Sequence, residues 1–156
     1  MIKISKGLDL PISGSPSLDI SDEPKVSSVA LLSNDYVGMK PTMFFKEGDH
    51  VNCGEKIFED KKNKGVFYCA PGSGLIKAVN RGDKRKFISI EIDLDNEEEF
   101  IEFNDQENFI NLLQETGLWN SFRTRPFNRT PAISDIPKGI FILSLIHISE
   151  PTRHHV

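Results

Sequence analysis

The stretch KEGDHVNCGEKIFE at residues 46–59, followed by APGSGLI at residues 70–76, decides the fold of this chain. Both strings place glycines between short apolar runs, and glycine is the residue that turns with positive φ favour. Pro71 has a fixed φ that suits the entry to the Ser73-Gly74 turn. We therefore predict short strands joined by tight turns, a pattern typical of a mainly β domain.

Apolar runs of strand length continue on both sides of this stretch. They occupy residues 29–32, 43–45, 56–60, 66–69, 75–79 and 87–92. Strict alternation in the last run predicts Phe87, Ser89 and Glu91 on one face and the isoleucines on the other. Gly48-Asp49 and Gly82-Asp83 each lie between two runs, and this weak repeat predicts two similar halves with pseudo-twofold symmetry. Strands this short cannot bury a face alone, so we expect the halves to cover each other.

The order and spacing of these elements resemble the biotinyl/lipoyl domain, a flattened sandwich of two interlocked hairpin halves. The resemblance implies a mainly β (α+β) chain with a barrel-sandwich hybrid over residues 29–98, preceded by an N-terminal arm over residues 1–28. Such domains can carry a cofactor on a lysine at the tip of a central hairpin, and Lys61 and Lys62 lie near that place. Several lysines compete there without a Met-Lys-Met string. A solvated basic tip is therefore favoured, and a lipoyl- or biotin-type carrier is the alternative.

The composition disfavours several classes of protein. The 156 residues carry a formal net charge of −4, whereas general nucleic-acid binders are basic. No apolar run approaches the roughly 18 residues of a membrane span. Cys53 and Cys69 form no CxxC pair, so we expect small, buried or half-buried thiols and no cysteine metal site. His50 is a lone histidine in a turn, typical of a surface residue. We predict no catalytic residue and no metal ligand.

One amphipathic helix is predicted after an acidic run at residues 93–99, which is expected to be a solvated linker. Asn104 is the candidate N-cap, with Glu107 in the capping-box position. Gly117 ends the helix. A core-facing stripe at helical spacing is predicted at Phe109, Ile110, Leu112 and Leu113. Residues 139–143 then predict a buried strand of the kind that begins an α/β unit.

Three arginines interleaved with aromatic residues are the best candidates for binding. They are Arg123, Arg125 and Arg129. A guanidinium group binds phosphate or carboxylate through two parallel hydrogen bonds and stacks on aromatic rings. The cluster is suited to an anionic ligand, a partner subunit or anionic lipid headgroups. The alternative is a structural cluster that pairs with the acidic linker.

Several longer strings resemble the N-terminal part of the A subunit of the Na(+)-translocating NADH:quinone reductases. They are ISKGLDLPI at 4–12, SVALL at 28–32, DYVGMKP at 35–41, FEDKKN at 58–63, GLW at 117–119 and FRTRPF at 122–127. Their order and spacing match throughout residues 2–142. The resemblance implies a fragment of a much longer subunit, in which residues 99–142 form a helix and the start of a truncated α/β domain. Residues 143–156 resemble translated cloning or adapter DNA and are expected to be a non-native tail.

The same resemblance implies a function. The family is a peripheral, cytoplasmic-side subunit of a bacterial membrane complex that oxidises NADH, reduces ubiquinone and exports sodium ions. It has no covalent flavin or iron–sulfur centre of its own, since those belong to other subunits, and it has been associated with quinone binding. The fragment alone is expected to be non-catalytic. A component of the related Rnf electron-transport complex is a further alternative. If the α/β domain is truncated, segment 105–143 lacks its usual packing partners. We then expect it to lie on the β-domain, to pair with another chain or to be loosely ordered.

Overall fold

A computed structural model describes residues 13–14, 17, 19, 26–95, 99–103 and 108–142. Seven strands precede a single α-helix in this part of the chain. The strands are β1 (Ser28–Leu32), β2 (Pro41–Met43), β3 (His50–Val51), β4 (Lys56–Asp60), β5 (Phe67–Cys69), β6 (Gly74–Arg81) and β7 (Phe87–Leu94). The helix is α1 (Phe109–Glu115), and short 3-10 turns occupy Ser33–Asp35, Asp83–Arg85 and Leu118–Ser121.

Two antiparallel sheets pack into a sandwich. One has the strand order β1-β7-β6-β3 and the other β2-β4-β5. Both sheets contribute to one core, whose fully buried members include Ile57 and Phe58 of β4 and Ile90 and Ile92 of β7. The predicted mainly β fold, with short strands that cover each other, is confirmed. No helix among the described residues is long and apolar enough to cross a membrane.

The predicted alternation along the last strand is wrong at its start. Phe87 and Ser89 are buried, as are Ile90 and Ile92 of the opposite predicted face. Ile88, which is predicted to share the face of the other isoleucines, is 49% exposed. The register between β6 and β7 shifts where Arg81 pairs with Phe87 and the next pair joins Asn80 to Ser89. Ile88 is therefore the extra residue of a β-bulge, which moves its side chain out of the core.

The predicted internal repeat is also not reproduced. The strands that flank Gly82-Asp83, β6 and β7, pair with each other as a hairpin. The strands that flank Gly48-Asp49, β2 and β3, belong to different sheets. The two glycines also differ, because Gly48 has φ +87° and Gly82 has φ −95°. A shared dipeptide thus serves two unrelated connections.

The helix begins later than predicted. Asn108 is the N-cap, and its side-chain oxygen accepts hydrogen bonds from the backbone N–H groups of Ile110 and Asn111. The predicted cap Asn104 and its partner Glu107 lie outside the described residues. Gly117 ends the helix in the left-handed conformation, as predicted, with φ +72°.

The apolar stripe of α1 is less buried than its spacing predicts. Phe109 is 67% exposed and Ile110 is 47% exposed, while Leu113 packs against the core. The C-terminal part of the helix is half-buried from residue 112 onwards, where Gly117 brings the chain against Cys69. A Cβ at this glycine would lie 2.8 Å from the Cys69 Sγ.

The segment after the helix covers one side of the sandwich. Trp119 is buried, and its indole N–H donates to the carbonyl of Pro131. Lys56 of β4 forms an ion pair with Glu115 of α1, with the Nζ and Oε2 atoms 2.5 Å apart. Segment 105–143 is expected from the sequence to lie on the β-domain, to pair with another chain or to be loosely ordered. Residues 108–133 follow the first of these arrangements, since they pack on the β-domain.

The strand predicted at residues 139–143 is not formed in its described part. Residues 139–142 have no regular structure, and Phe141 is 98% exposed. A buried strand needs neighbouring strands on which to pair, and none is offered to this segment by the described residues. The predicted tail at 143–156 and most of the predicted arm at 1–28 lie outside the described residues.

Candidate functional site

Two cavities meet at one end of the sandwich. The larger has a volume of about 660 Å³ and the smaller about 170 Å³. Residues 36–39, in the long connection between β1 and β2, line both cavities, as does Lys62 from the β4–β5 turn. Segment 129–130 completes the smaller cavity, and the β6–β7 turn completes the larger. The walls therefore come from four segments that are distant in sequence.

The smaller cavity contains a buried phenol with an unsatisfied hydroxyl. Tyr68 of β5 is 1% exposed, and its hydroxyl is the one buried side-chain polar atom without a regular hydrogen bond in the described part of the chain. Burial raises the pKa of Tyr68 to about 12, and the nearby Thr130 side chain opposes that rise. The Tyr68 hydroxyl nevertheless forms no hydrogen bond with a described residue. The phenol is thus protonated at neutral pH and has a proton to donate.

Neighbouring rings hold this phenol in place. Tyr68 stacks on Phe58 with ring centroids 4.7 Å apart, and Tyr36 meets it edge-on at 4.6 Å. Burial also raises the pKa of Tyr36, against the lowering effect of the Arg123 charge. Contacts on two sides fix the direction of the Tyr68 hydroxyl, which is what a binding site requires of its donors.

A buried carboxylate stabilises the turn beside the cavity. Asp60 is 7% exposed and lies at the end of β4. Its Oδ1 atom accepts backbone N–H hydrogen bonds from Lys40 at 3.1 Å and Lys62 at 3.0 Å. One carboxylate therefore joins the β1–β2 connection to the β4–β5 turn.

Arg123 binds its own chain. Its guanidinium donates to the carbonyl oxygens of Asn120 and Phe122 and to the hydroxyl of Thr130. It also lies over the ring of Tyr36, with 5.4 Å between its Cζ and the ring centroid. These acceptors are neutral, and no described carboxylate of the acidic linker lies within 4.0 Å of it. Arg123 therefore holds the segment after α1 in place, through bonds within that segment and its contact with Tyr36.

The other two predicted arginines lie near the surface. Arg125 is exposed and donates to the Asn128 side chain at 3.0 Å. Arg129 is exposed and lines the smaller cavity. Its Nε atom lies 3.9 Å from the place that a Cβ at Gly38 would occupy. The three arginines are thus not brought together as one anion site, although Arg129 remains available to a ligand.

The lysines at the β4–β5 turn do not lie on a protruding tip. Lys61 and Lys62 are exposed, as the solvated-tip prediction requires. The side-chain amide of Asn63 in the same turn donates to the carbonyl of Pro131 at 2.9 Å. A carrier must present its lysine to partner enzymes, and a turn joined to the following segment is poorly suited to that task.

Cys69, His50 and Ser73, the remaining candidates, make contacts that are typical of structural residues. Burial raises the pKa of the Cys69 thiol to about 11, so it is a poor nucleophile, in line with the expected inert cysteine. His50 is exposed and its Nε2 lies 2.6 Å from Asp95 Oδ2. The hydroxyl of Ser73 donates to the carbonyl of Glu99. Across the described ranges, no group of three or more His, Cys, Asp or Glu is placed to hold a metal ion.

Sequence reasoning did not find Tyr68, Asp60 or the basic wall of the larger cavity. Tyr68 is an ordinary residue of a strand pattern, and its unpaired hydroxyl depends on how three other segments, residues 36–39, 60–63 and 129–130, pack around it. The basic wall did leave a signal, because cations cluster at residues 81–86 and 61–64. Basic residues are common at exposed turns, so that signal does not by itself indicate a site.

Two family profiles match the chain. One describes the NqrA N-terminal barrel-sandwich hybrid domain and covers residues 2–95, and the other describes the NqrA second alpha/beta domain and covers residues 104–152. The second match extends into residues 143–156. That residues 143–156 are a non-native tail stays a prediction.

Similar curated proteins carry the name of the same subunit. The A subunit of the Na(+)-translocating NADH-quinone reductase of Hahella chejuensis is 48% identical over 93% of this chain and 34% of its own length. The proteins of the same name from Photorhabdus laumondii and Yersinia pestis are 45% identical with the same coverage. The chain spans about a third of the length of these relatives. These matches favour the A subunit over the Rnf-type alternative, and the chain belongs to the NqrA family, of which it covers the N-terminal barrel-sandwich hybrid domain and part of the second alpha/beta domain.

Proposed function

We propose that this chain is part of a peripheral subunit of a sodium-pumping NADH:quinone reductase, and that it contributes structure and a contact to the quinone. The relatives named above support the first part, since they carry the name of that complex. Its partners are then the other subunits, on the cytoplasmic side of the membrane. We expect the flavins and the iron–sulfur centre of the complex to belong to those subunits and the isolated chain to have no turnover.

The Tyr68 hydroxyl carries the proposal of a quinone contact. A quinone headgroup is a flat ring with two carbonyl acceptors, and a protonated phenol donates a hydrogen bond to such an oxygen. The cavity of about 170 Å³ suits one ring, since an apolar cavity of about 150 Å³ takes up benzene. Met39 and Tyr36 supply apolar surface, and Arg129 lies at the wall for a second polar contact. A bound carbonyl would satisfy the hydroxyl that the fold leaves unpaired.

Calorimetric titration of the chain with a short-chain ubiquinone tests the contact. We expect Y68F to weaken binding at least about tenfold, because a hydrogen bond in a buried setting is lost. S89A is the matched control, since it also deletes a buried hydroxyl but Ser89 lines neither cavity. Equal affinity of Y68F and the original chain would refute the contact.

The assembled complex provides the second measurement. Y68F placed in the full-length protein should raise KM for quinone while NADH oxidation by an artificial electron acceptor keeps its rate. A complex that assembles normally and keeps its KM for quinone would refute the role of Tyr68, and would leave the family membership untouched.

A further inference from the structure

Cations from four segments converge on the larger cavity. Lys40 precedes β2, Arg81 ends β6, Lys61 and Lys62 lie on the β4–β5 turn, and residues 84–86 lie in the β6–β7 turn, which spans residues 82–86. These are seven of the 19 lysines and arginines in the chain, and no aspartate or glutamate lines this cavity. The wall therefore has the opposite sign to the chain as a whole, whose net charge is −4.

The cations of this wall form no ion pair with a carboxylate of the described residues. In the described residues, ion pairs join His50 to Asp95, Lys56 to Glu115 and Lys77 to Asp93, and all three lie away from the cavity. Lys62 donates from Nζ to the carbonyl of Gly38, which is a neutral acceptor. Like charges that share a concave surface repel one another, and the same geometry concentrates the field on an anion that enters.

The β6–β7 turn holds two cations at a conformational cost. Lys84 and Arg85 have φ +55° and +60°, and the turn is closed by a hydrogen bond from the Lys86 N–H to the carbonyl of Asp83. Two central residues with positive φ define a type I′ turn, for which Asn-Gly is the favoured pair. Side chains with a Cβ are strained there, and such strain concentrates at functional positions. Glycine at this turn would relieve the strain but remove a charge from the cavity.

We propose that the larger cavity binds a phosphate-bearing molecule. Arg81 and Arg85 offer planar guanidinium groups, which match two phosphate oxygens at once, and the lysines add point charges around them. The volume of about 660 Å³ lies within the roughly 300–1,000 Å³ of small-molecule sites. Pro41 and Phe87 add apolar wall for the organic part of the ligand. The concave shape favours a small molecule or a lipid headgroup over a flat partner surface.

Binding of defined probes to this 156-residue chain tests the proposal. Pyrophosphate and ATP represent soluble phosphates, vesicles with anionic phospholipid represent headgroups, and a hexaglutamate peptide represents an acidic protein segment. The test variant is K84N/R85G, which removes two charges and installs the favoured turn pair. Its melting temperature should rise, so that a loss of binding is not a loss of folding. The control is K46Q/K138Q, which removes two exposed cations that line neither cavity.

We expect binding of pyrophosphate or ATP, or of the vesicles, to weaken at least about tenfold in K84N/R85G and less than about twofold in the control. Added salt should weaken it further. Binding to the soluble probes identifies a free phosphate ligand, and binding to vesicles alone identifies a headgroup. Equal weakening in both variants, tighter binding of hexaglutamate, or no binding of any phosphate probe would overturn the proposal. The quinone contact is tested by other residues and stands or falls separately.

Discussion

Removal of the Tyr68 hydroxyl should stabilise the protein, in contrast to the usual effect of a buried Tyr→Phe substitution. A buried hydroxyl that lacks a partner carries a desolvation penalty of about 1–3 kcal/mol. Tyr68 is 1% exposed, and Phe fills the same ring position between Phe58 and Tyr36. Tyr68 lines the smaller cavity, and the loss of its single oxygen atom forfeits few packing contacts.

We expect Y68F to raise the free energy of unfolding by about 0.5–2 kcal/mol. At roughly 4 °C per kcal/mol for a domain of this size, the melting temperature should rise by about 2–8 °C.

S89A is the matched comparison with the opposite sign. Ser89 is 5% exposed, and its hydroxyl accepts a hydrogen bond from the side-chain amide of Asn80 at 3.0 Å. Its removal leaves that amide with Glu91 as its remaining side-chain partner. The loss should lower the free energy of unfolding by about 1 kcal/mol. Two deletions of a buried hydroxyl thus have opposite effects, and only the presence of a partner separates them.

Urea unfolding followed by tryptophan fluorescence and by circular dichroism measures both variants. Trp119 is the single tryptophan of the chain and is buried, so its emission reports on the packing of the segment after α1. Unchanged m-values would show that the change lies in the stability of the folded state. If Y68F destabilises the protein by about 1 kcal/mol or more, like S89A, then the hydroxyl is hydrogen-bonded and the argument for an unpaired donor fails.

Three further outcomes are expected. R123K should lower the free energy of unfolding by about 1–3 kcal/mol in the same assay, because a lysine ammonium cannot bond all the acceptors that the guanidinium group reaches. R125K, at an exposed site, should change the free energy of unfolding by no more than about 0.5 kcal/mol. The hydrogen bond from His50 to Asp95 raises the pKa of the imidazole, so its stabilising effect is complete below the ordinary pKa near 6.5 and is lost as the pH rises through the higher folded value. An NMR titration midpoint at or below 6.5, or one that D95N does not lower, would contradict this assignment. Cys69, with a pKa of about 11, should resist an aromatic disulfide reagent at about pH 7 until urea unfolds the chain, and rapid reaction in the native state would contradict its burial.

The strands were predictable because their determinants are local. The predicted run at 56–60 has the bounds of β4, and Gly48 and Gly54 both have positive φ at the turns assigned to them. Turn chemistry of this kind acts within a few residues, and period-two alternation acts within one strand. The bulge at Ile88 escaped prediction because it depends on how β7 pairs with β6.

The C-terminal part was less predictable because periodicity shows that a face is apolar and not what covers it. Phe109 and Leu113 belong to the same predicted stripe, yet only Leu113 packs against the core. The difference comes from the close approach of Gly117 to Cys69, which fixes where α1 ends on the sheet. Segment 139–142 is as apolar as a buried strand and is exposed in the described structure. Burial of such a segment is a property of its neighbours.

The departures from local structural preference are concentrated around the two cavities. The unpaired buried hydroxyl belongs to Tyr68 in the smaller cavity. The non-glycine residues with positive φ in the described ranges are Lys84 and Arg85, which line the larger cavity, and Asn128, which precedes Arg129 of the smaller one. The seven cations of the larger cavity form no ion pair with a described carboxylate, a property that they share with exposed lysines elsewhere in the described residues. Ser73 and Ser89 line neither cavity and are buried with satisfied hydrogen bonds, as is Asp60 at the smaller cavity. Substitutions that obey the local preferences are available at two of these places, namely Phe at Tyr68 and Asn-Gly at residues 84–85. Both should stabilise the fold, and such an outcome would support the two ligand sites proposed above.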